Sequence, residues 1–94
     1  MAAYIVAYDL FDNSIRHQRL AQRLQSLGAR WTLRDHVCFL VTHLSASELM
    51  DQFEDCLSEH DELFIARLSG QAAWTGLHRA DSEWLRSQLG RLAG

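Results

Sequence analysis

The sequence IVAYDLFDN, residues 5–13, begins as a run of apolar and aromatic side chains and then turns acidic at Asp9 and Asp12. A short run of Ile, Val and Tyr without helical spacing favours a buried β-strand, so we expect a strand over residues 4–9. Asn13 or Ser14 is placed to cap a helix directly afterwards. The chain therefore passes from a buried strand, through a turn that carries carboxylates, straight into a helix.

The first helix is predicted to end at Gly28, where a left-handed C-terminal cap would fall. Its apolar residues recur at intervals of three and four: Leu20, Ala21, Leu24 and Leu27. Residues 30–34 then alternate apolar and polar side chains, as a strand with one wet face does. With a turn at Asp35 and His36, this strand and an apolar second arm over Val37–Thr42 form a β-hairpin.

The second half of the chain repeats the pattern of a helix followed by a strand. Ser45 and Glu48 fit a capping box. The apolar face of the second helix follows at helical spacing: Ala46, Leu49, Met50, Phe53 and Leu57. After a polar break, residues 63–68 read as a further apolar strand. We expect a last helix, capped by Asp81 and running through Leu92.

The order β-α-β-β-α-β followed by a helix predicts an α+β fold, the ferredoxin-like split β-α-β. It has a four-stranded antiparallel sheet with two helices on one face, plus a C-terminal helix. We expect a single domain with a core over residues 3–69 and a C-terminal extension over residues 70–94. The first and last strands, being the more apolar, are placed in the middle. The opposite sheet face then needs cover from Trp74 and Trp84 in a C-terminal lid, or from a second copy.

Composition narrows the range of functions. The formal net charge of −3 argues against a protein whose whole surface grips nucleic acid, although it allows a local basic stripe. The longest apolar runs are too short for a membrane span and no signal peptide is readable, so we expect a cytoplasmic protein. The five histidines form no metal-binding or catalytic spacing. Cys38 and Cys56 also lack metal-ligand spacing and are interpreted as small core residues.

Asp9 is the first candidate for chemistry, because it stands where the first strand leaves the sheet. Magnesium prefers hard oxygen ligands, and one carboxylate rarely holds a catalytic Mg²⁺ ion. A symmetric dimer whose axis passes near this strand end would supply Asp9 from both chains. The metal would then polarise a phosphodiester and generate a hydroxide nucleophile. The alternative is that Asp9 accepts backbone N–H bonds in its own loop.

Three arginines form a stripe along the first helix. Arg16, Arg19 and Arg23 are spaced by three and four residues, which puts them on one face. Such a stripe can dock a nucleic-acid backbone beside the carboxylates, or it can be a solvated surface. Asp12 and Asn13 lie at the start of the same helix, where capping explains them better than metal binding does.

The opening segment YIVAYDLFDNSIRHQRLAQRLQSLG, together with the order of elements and the size, resembles the CRISPR-associated Cas-two family. The likeness covers residues 3–68. The segment LSGQAAWTGL, residues 68–77, looks more like small stand-alone relatives of that family. The stretch over residues 36–39 matches the family's second hairpin arm only loosely.

The resemblance implies a ferredoxin-like fold and a homodimer with the sheets face to face. In members of that family that cut RNA or DNA, the aspartate after the first strand is a proposed metal ligand, which corresponds to Asp9. Arg16 and Arg19 correspond to the basic opening of the first helix. Three functions follow as alternatives: a metal-dependent endonuclease, a non-catalytic scaffold for nucleic acid or protein, and a dimeric regulatory module.

Overall fold

The elements follow the predicted order. The computed structural model describes residues 1–10, 15–32, 37–69 and 71–93, without the side chains of Arg16, Thr32 and residues 90–93. The elements are β1 (Ala2–Asp9), α1 (Ile15–Ser26), β2 (Arg30–Thr32), β3 (Val37–Thr42), α2 (Ala46–Phe53), a 3₁₀ turn (Glu54–Cys56), β4 (Glu62–Arg67) and α3 (Arg79–Ala93). The predictions for Asp12, Asn13 and Ser14, and for the hairpin turn at Asp35 and His36, lie outside the described residues.

The four strands form one sheet in the order β2-β3-β1-β4, with every neighbouring pair antiparallel. This arrangement, with α1 and α2 as its crossovers, confirms the predicted α+β, ferredoxin-like fold. The placement of the last strand in the middle was wrong, because β4 forms an edge. Apolar composition indicates that the faces of a strand are buried, but it does not indicate whether the strand has a hydrogen-bonded neighbour on both sides. Even the burial is incomplete here, since Phe64 of β4 is 65% exposed.

Alternation along β1 divides the sheet into two faces. Tyr4 and Val6 point to the face covered by α1 and α2, whereas Ile5 and Ala7 point to the other. The main core lies on the first face. Its largest fully buried side chains come from β1, β3, α1, α2 and the 3₁₀ turn: Val6, Leu20, Leu24, Cys38, Leu40, Leu49, Phe53 and Cys56. The Tyr4 hydroxyl donates to the Leu44 carbonyl oxygen at 2.8 Å, so its polar tip is satisfied.

The predicted end of α1 and the predicted start of α2 are present. Gly28 has a φ of 85°, and the amides of Gly28 and Ala29 donate to the carbonyls of Gln25 and Leu24, which closes α1 with a Schellman motif. Ser45 caps α2 through a complete capping box with Glu48. The carboxylate of Glu48 accepts the Ser45 backbone N–H, and this bond lowers the pKa of Glu48.

The second helix is shorter than its apolar pattern suggests. It ends at Phe53, and the 3₁₀ turn that follows carries Cys56 into the core. Leu57, which we expected on the helix, comes after that turn yet still packs against the core. None of the helices in the described ranges is long and apolar enough to cross a membrane.

The C-terminal helix α3 lies over the second face of its own sheet. Leu85 is only 3% exposed, and the Trp84 ring lies 5.8 Å from the Phe39 ring. Arg30 of β2 fastens this contact, since its guanidinium lies 5.6 Å from the centre of the Trp84 ring and 3.3 Å from the Asp81 carboxylate. The α3 lid therefore depends on a hydrophobic contact and a shared arginine.

The start of α3 differs from the prediction. The helix begins at Arg79, and His78 caps it by accepting the Ala80 N–H through Nδ1 at 3.2 Å. Asp81 is thus not the cap. It lies in the first turn, where its negative charge interacts favourably with the helix dipole and its carboxylate forms an ion pair with Arg30. The Trp74 indole N–H donates to the Ser82 hydroxyl at 2.9 Å, which ties the connector before α3 to the helix.

Truncating the buried contact of α3 tests whether it stabilises the fold. We expect Leu85→Ala to lower the free energy of unfolding by about 2–4 kcal/mol, because it removes a buried side chain and leaves a cavity. Arg86→Ala, at the exposed neighbouring position, should change it by about 0.5 kcal/mol or less. Urea denaturation followed by circular dichroism measures both. Equal effects of the two substitutions would contradict the packing of α3 as a lid.

Candidate functional site

The register between β1 and β4 places two carboxylates directly opposite each other. Asp9 is the Cα partner of Glu62, at the last position of β1 and the first of β4. Side chains directly opposite in an antiparallel pair have Cβ atoms about 4.5–5.5 Å apart. Both side chains are exposed. The sequence predicted Asp9 and missed Glu62, because the two are 53 positions apart and only the register brings them together.

These two carboxylates have no partner in the part of the chain that is described: no hydrogen bond or ion pair reaches either side chain. Like charges directly opposite in a sheet are destabilising, and a cation between them would relieve that repulsion. The loop bond considered for Asp9 has no donor within the described ranges, and residues 11–14 lie outside them.

The donor set fits magnesium better than a transition metal. Among the described residues, no group of three or more His, Cys, Asp or Glu side chains is arranged to hold a metal ion. Mg²⁺ does not require such a cage, because it keeps several waters and is bound through one or two carboxylates together with substrate phosphates. Asp9 and Glu62 supply two carboxylates of this kind.

An exposed apolar surface adjoins the two carboxylates on the second face of the sheet. Ala7 of β1 pairs with Val37 on one side and with Phe64 on the other, and these three residues define what we call the open patch. A shallow depression runs from the open patch to Asp9 and Glu62. The α3 lid covers Phe39 but leaves Phe64 65% exposed, so this end of the face has room for a partner.

The arginine stripe lies away from the carboxylates. Alternation in β1 places Asp9 with Ile5 and Ala7 on the face opposite α1, so α1 and Asp9 lie on different sides of the sheet. Arg19 is exposed on α1, and the side chain of Arg16 lies outside the description. The structure thus does not bring these helical positions and the carboxylates into one site.

Arg23 is held by the turn after α2. Its guanidinium forms a two-pronged ion pair with Asp55, with one nitrogen also donating to the Gln52 carbonyl oxygen at 2.7 Å. The hydrogen bonds from Arg23 lower the pKa of Asp55, and the nearby charges of Arg23 and Arg19 add to the effect. Arg23 therefore joins α1 to the 3₁₀ turn, a role that its spacing in the sequence does not reveal.

The two cysteines behave as core residues, as predicted. Cys38 and Cys56 are free thiols and both are fully buried. Burial raises the pKa of Cys38 to about 12 and is also the main cause that raises the pKa of Cys56. A buried thiol that stays protonated is a poor nucleophile, so neither cysteine is a candidate for catalysis.

Comparisons of the chain with protein-family models, curated proteins and solved structures find no match. The resemblance to the Cas-two family stays a prediction from the sequence. The site itself consists of two carboxylates without a partner among the described residues, beside an exposed apolar surface. It is a candidate cation-binding edge of a ferredoxin-like sheet.

Arg23 can be tested through the titration of its partner. We expect Arg23→Gln to raise the pKa of Asp55 towards its ordinary value of 3.8, because the hydrogen bonds from Arg23 are the largest cause that lowers it. Arg19→Gln should raise it much less. Carboxyl ¹³C chemical shifts followed against pH measure both values.

The same ion pair gives stability a pH dependence of known sign. The pKa of Asp55 is lower in the folded state than its ordinary value of 3.8. The carboxylate therefore stabilises the folded protein fully above pH 3.8, and this stabilisation is lost as the pH falls through the folded-state pKa. Arg23→Gln should flatten this acid limb in thermal unfolding. An unchanged titration of Asp55 in Arg23→Gln would contradict the ion pair.

Proposed function

We propose that the protein is a homodimeric, Cas-two-like endonuclease of the cytoplasm that hydrolyses phosphodiester bonds of RNA or DNA with a divalent metal. The observation that carries the proposal is the position of Asp9 opposite Glu62, with both carboxylates exposed and unpaired among the described residues. The two free buried thiols agree with a reducing compartment.

Mg²⁺ is the metal that this donor set suits. Asp9 and Glu62 would hold it as oxygen ligands, and the phosphate of the substrate would be a further ligand. When bound, the metal supplies a Lewis acid for the phosphoryl oxygen and lowers the pKa of a bound water. The carboxylates of the chain position the cation, and the repulsion between their like charges favours the metal-bound state over the empty one.

A homodimer is supported by the open patch of Ala7, Val37 and Phe64. A second copy placed face to face on this surface buries Phe64 and removes exposed apolar area from water. Because the open patch adjoins Asp9 and Glu62, the same contact brings the carboxylates of both chains towards one axis. Burial of Phe64 would favour the dimer, the carboxylates of the two chains would repel each other, and a bound metal would remove that repulsion.

Arginines of α1 would contact the nucleic-acid backbone. Arg19 is exposed and forms no ion pair within the described residues, and Arg16 precedes it by one turn. Arg23 would take part only after giving up Asp55. Since α1 and the carboxylates lie on different sides of the sheet, the substrate must pass around the sheet edge or contact the arginines of the second copy.

A second candidate function is a dimeric scaffold or regulatory module without catalysis, which binds nucleic acid or protein. It is favoured by the engagement of Arg23 with Asp55 and by the formal net charge of −3, both of which weaken attraction for phosphate. In this alternative the open patch is the functional surface. The Asp9 and Glu62 pair would then only limit which partners bind.

Cleavage of labelled single-stranded RNA and duplex DNA distinguishes the two candidates. We expect cutting with Mg²⁺ or Mn²⁺ and none with chelator. Asp9→Asn and Glu62→Gln should each lower the cleavage rate by about 100-fold or more. Loss of a residue that only hydrogen-bonds to a metal ligand already costs about 10–100-fold, and loss of a ligand should cost more. Asp51→Asn on exposed α2 makes the same charge change on the other side of the sheet and should keep full activity.

Sedimentation of the same samples tests the dimer. Phe64→Ser should shift the protein towards monomer and lower the cleavage rate with it. Absence of cutting by a folded dimer, whatever the metal, would rule out the enzyme and leave the scaffold. Equal activity of Asp9→Asn and wild type would remove the carboxylate pair from the mechanism.

A further inference from the structure

A cleft lies between α1 and the edge strand β2, on the face of the sheet opposite the open patch. It is shallow and open to solvent, like the depression beside Asp9 and Glu62, and its volume is about 380 Å³. Five side chains of the described residues line it: Tyr8, His17, Ala21, Gln25 and Trp31. The cleft therefore combines three rings with an amide and a small residue.

Contacts between the three aromatic residues fix the walls. The Trp31 indole N–H donates to the Tyr8 hydroxyl oxygen at 3.1 Å. The Tyr8 ring lies 5.7 Å from the His17 ring, with their planes at 55°. All three side chains are half-buried, so each keeps part of its ring surface towards the cleft.

The α1 side of the cleft follows from helical spacing. His17, Ala21 and Gln25 are four residues apart and form one row along α1. Ala21 is the small member of this row and leaves space between the two larger side chains. Within the described residues, neither the His17 imidazole nor the Gln25 amide makes a hydrogen bond. The row thus offers polar groups on either side of a gap.

This row is separate from both features already described. On a helical projection of 100° per residue, the buried residues Leu20 and Leu24 stand between it and the arginine stripe. The arginine flank faces the turn after α2, as the bond from Arg23 to Asp55 shows. Asp9 lies on the other face of the sheet. The cleft is accordingly a third surface with its own chemistry.

We infer that this cleft binds an unpaired nucleobase. Every base has a π-face that stacks on aromatic side chains, and Tyr, Trp and His rings provide such platforms. The Gln25 amide presents a donor and an acceptor in one plane, which matches the edge of a base. Among the described residues, no carboxylate lines the cleft. The inference does not depend on hydrolysis at Asp9 and Glu62.

The base has two possible sources, a free nucleoside or nucleotide and a single strand of nucleic acid. Their shared chemistry is the planar heterocycle with its hydrogen-bonding edge. Adenosine tests the first source and a short oligodeoxyadenylate tests the second. Ribose 5-phosphate lacks the base and serves as the matched negative ligand.

The indole N–H resonances of the intact protein report binding at the cleft. Trp31 contributes the resonance inside it. Trp84 of α3 and Trp74 of the connector before α3 lie outside the cleft and are internal controls. Trp31→Phe assigns the peak. We expect adenosine or the oligonucleotide to shift the Trp31 resonance in a saturable way without moving the other two, and ribose 5-phosphate to leave all three in place.

Substitutions on α1 complete the test. Ala21→Leu should fill the gap between His17 and Gln25 and weaken binding at least about tenfold. Leucine is also a good helix former, so α1 should stay intact. Gln25→Ala should weaken it by about 2–10-fold through one lost hydrogen bond. Gln22→Ala, on the outward face of α1, should leave it unchanged, and the dispersion of the amide spectrum verifies folding of each variant.

Two results would overturn the inference. One is the absence of a saturable Trp31 shift with both adenosine and the oligonucleotide at millimolar concentration. The other is undiminished binding in both Ala21→Leu and Gln25→Ala. A response to the oligonucleotide alone, lost in those variants, supports the site and identifies the single strand as its source.

Discussion

The pairing of β1 on both of its sides is the constraint on which the rest of the structure depends. Its register against β3 and β4 fixes which residues share a face and which side chains stand opposite each other. A slip of one residue would turn Tyr4 and Val6 out of the core and Ile5 into it. The burial of Val6 under α1 and α2 specifies the register, and the register then specifies the surface chemistry.

Three surfaces follow from this one register. On the helix face, Tyr8 meets Trp31 and His17 and forms an aromatic cleft. On the second face, Arg30 fastens α3 over one end of the sheet and leaves the open patch at the other. At the end of β1, Asp9 pairs directly with Glu62 of β4, so that two carboxylates stand opposite each other. Such a pair of like charges is a local conflict, and conflicts of this kind are expected at sites where a protein binds a ligand.

The sequence predicted what depends on local pattern. The bounds of β3, the left-handed cap at Gly28 and the capping box of Ser45 with Glu48 all follow from neighbouring residues, and the structure confirms them. The order of elements was sufficient for the fold because split β-α-β connections allow few topologies.

What the sequence did not predict depends on tertiary pairing. The apolar composition of β4 does not distinguish an edge from a centre, and Phe64 is consequently exposed. Arg23 was interpreted as a phosphate contact or as part of a solvated surface, because its partner, Asp55, lies 32 residues away. Glu62 went unnoticed for the same reason, since nothing in a polar break points to a strand near the N-terminus.

The central claim is that Asp9 and Glu62 together bind a divalent cation. Titration of ¹⁵N-labelled protein with a substoichiometric amount of Mn²⁺ tests it directly, because the ion broadens the nearest amide resonances most strongly. We predict broadening centred on Asp9 and Glu62, reversed by excess Mg²⁺ and absent in Asp9→Asn. Broadening centred elsewhere, or none, would contradict the account.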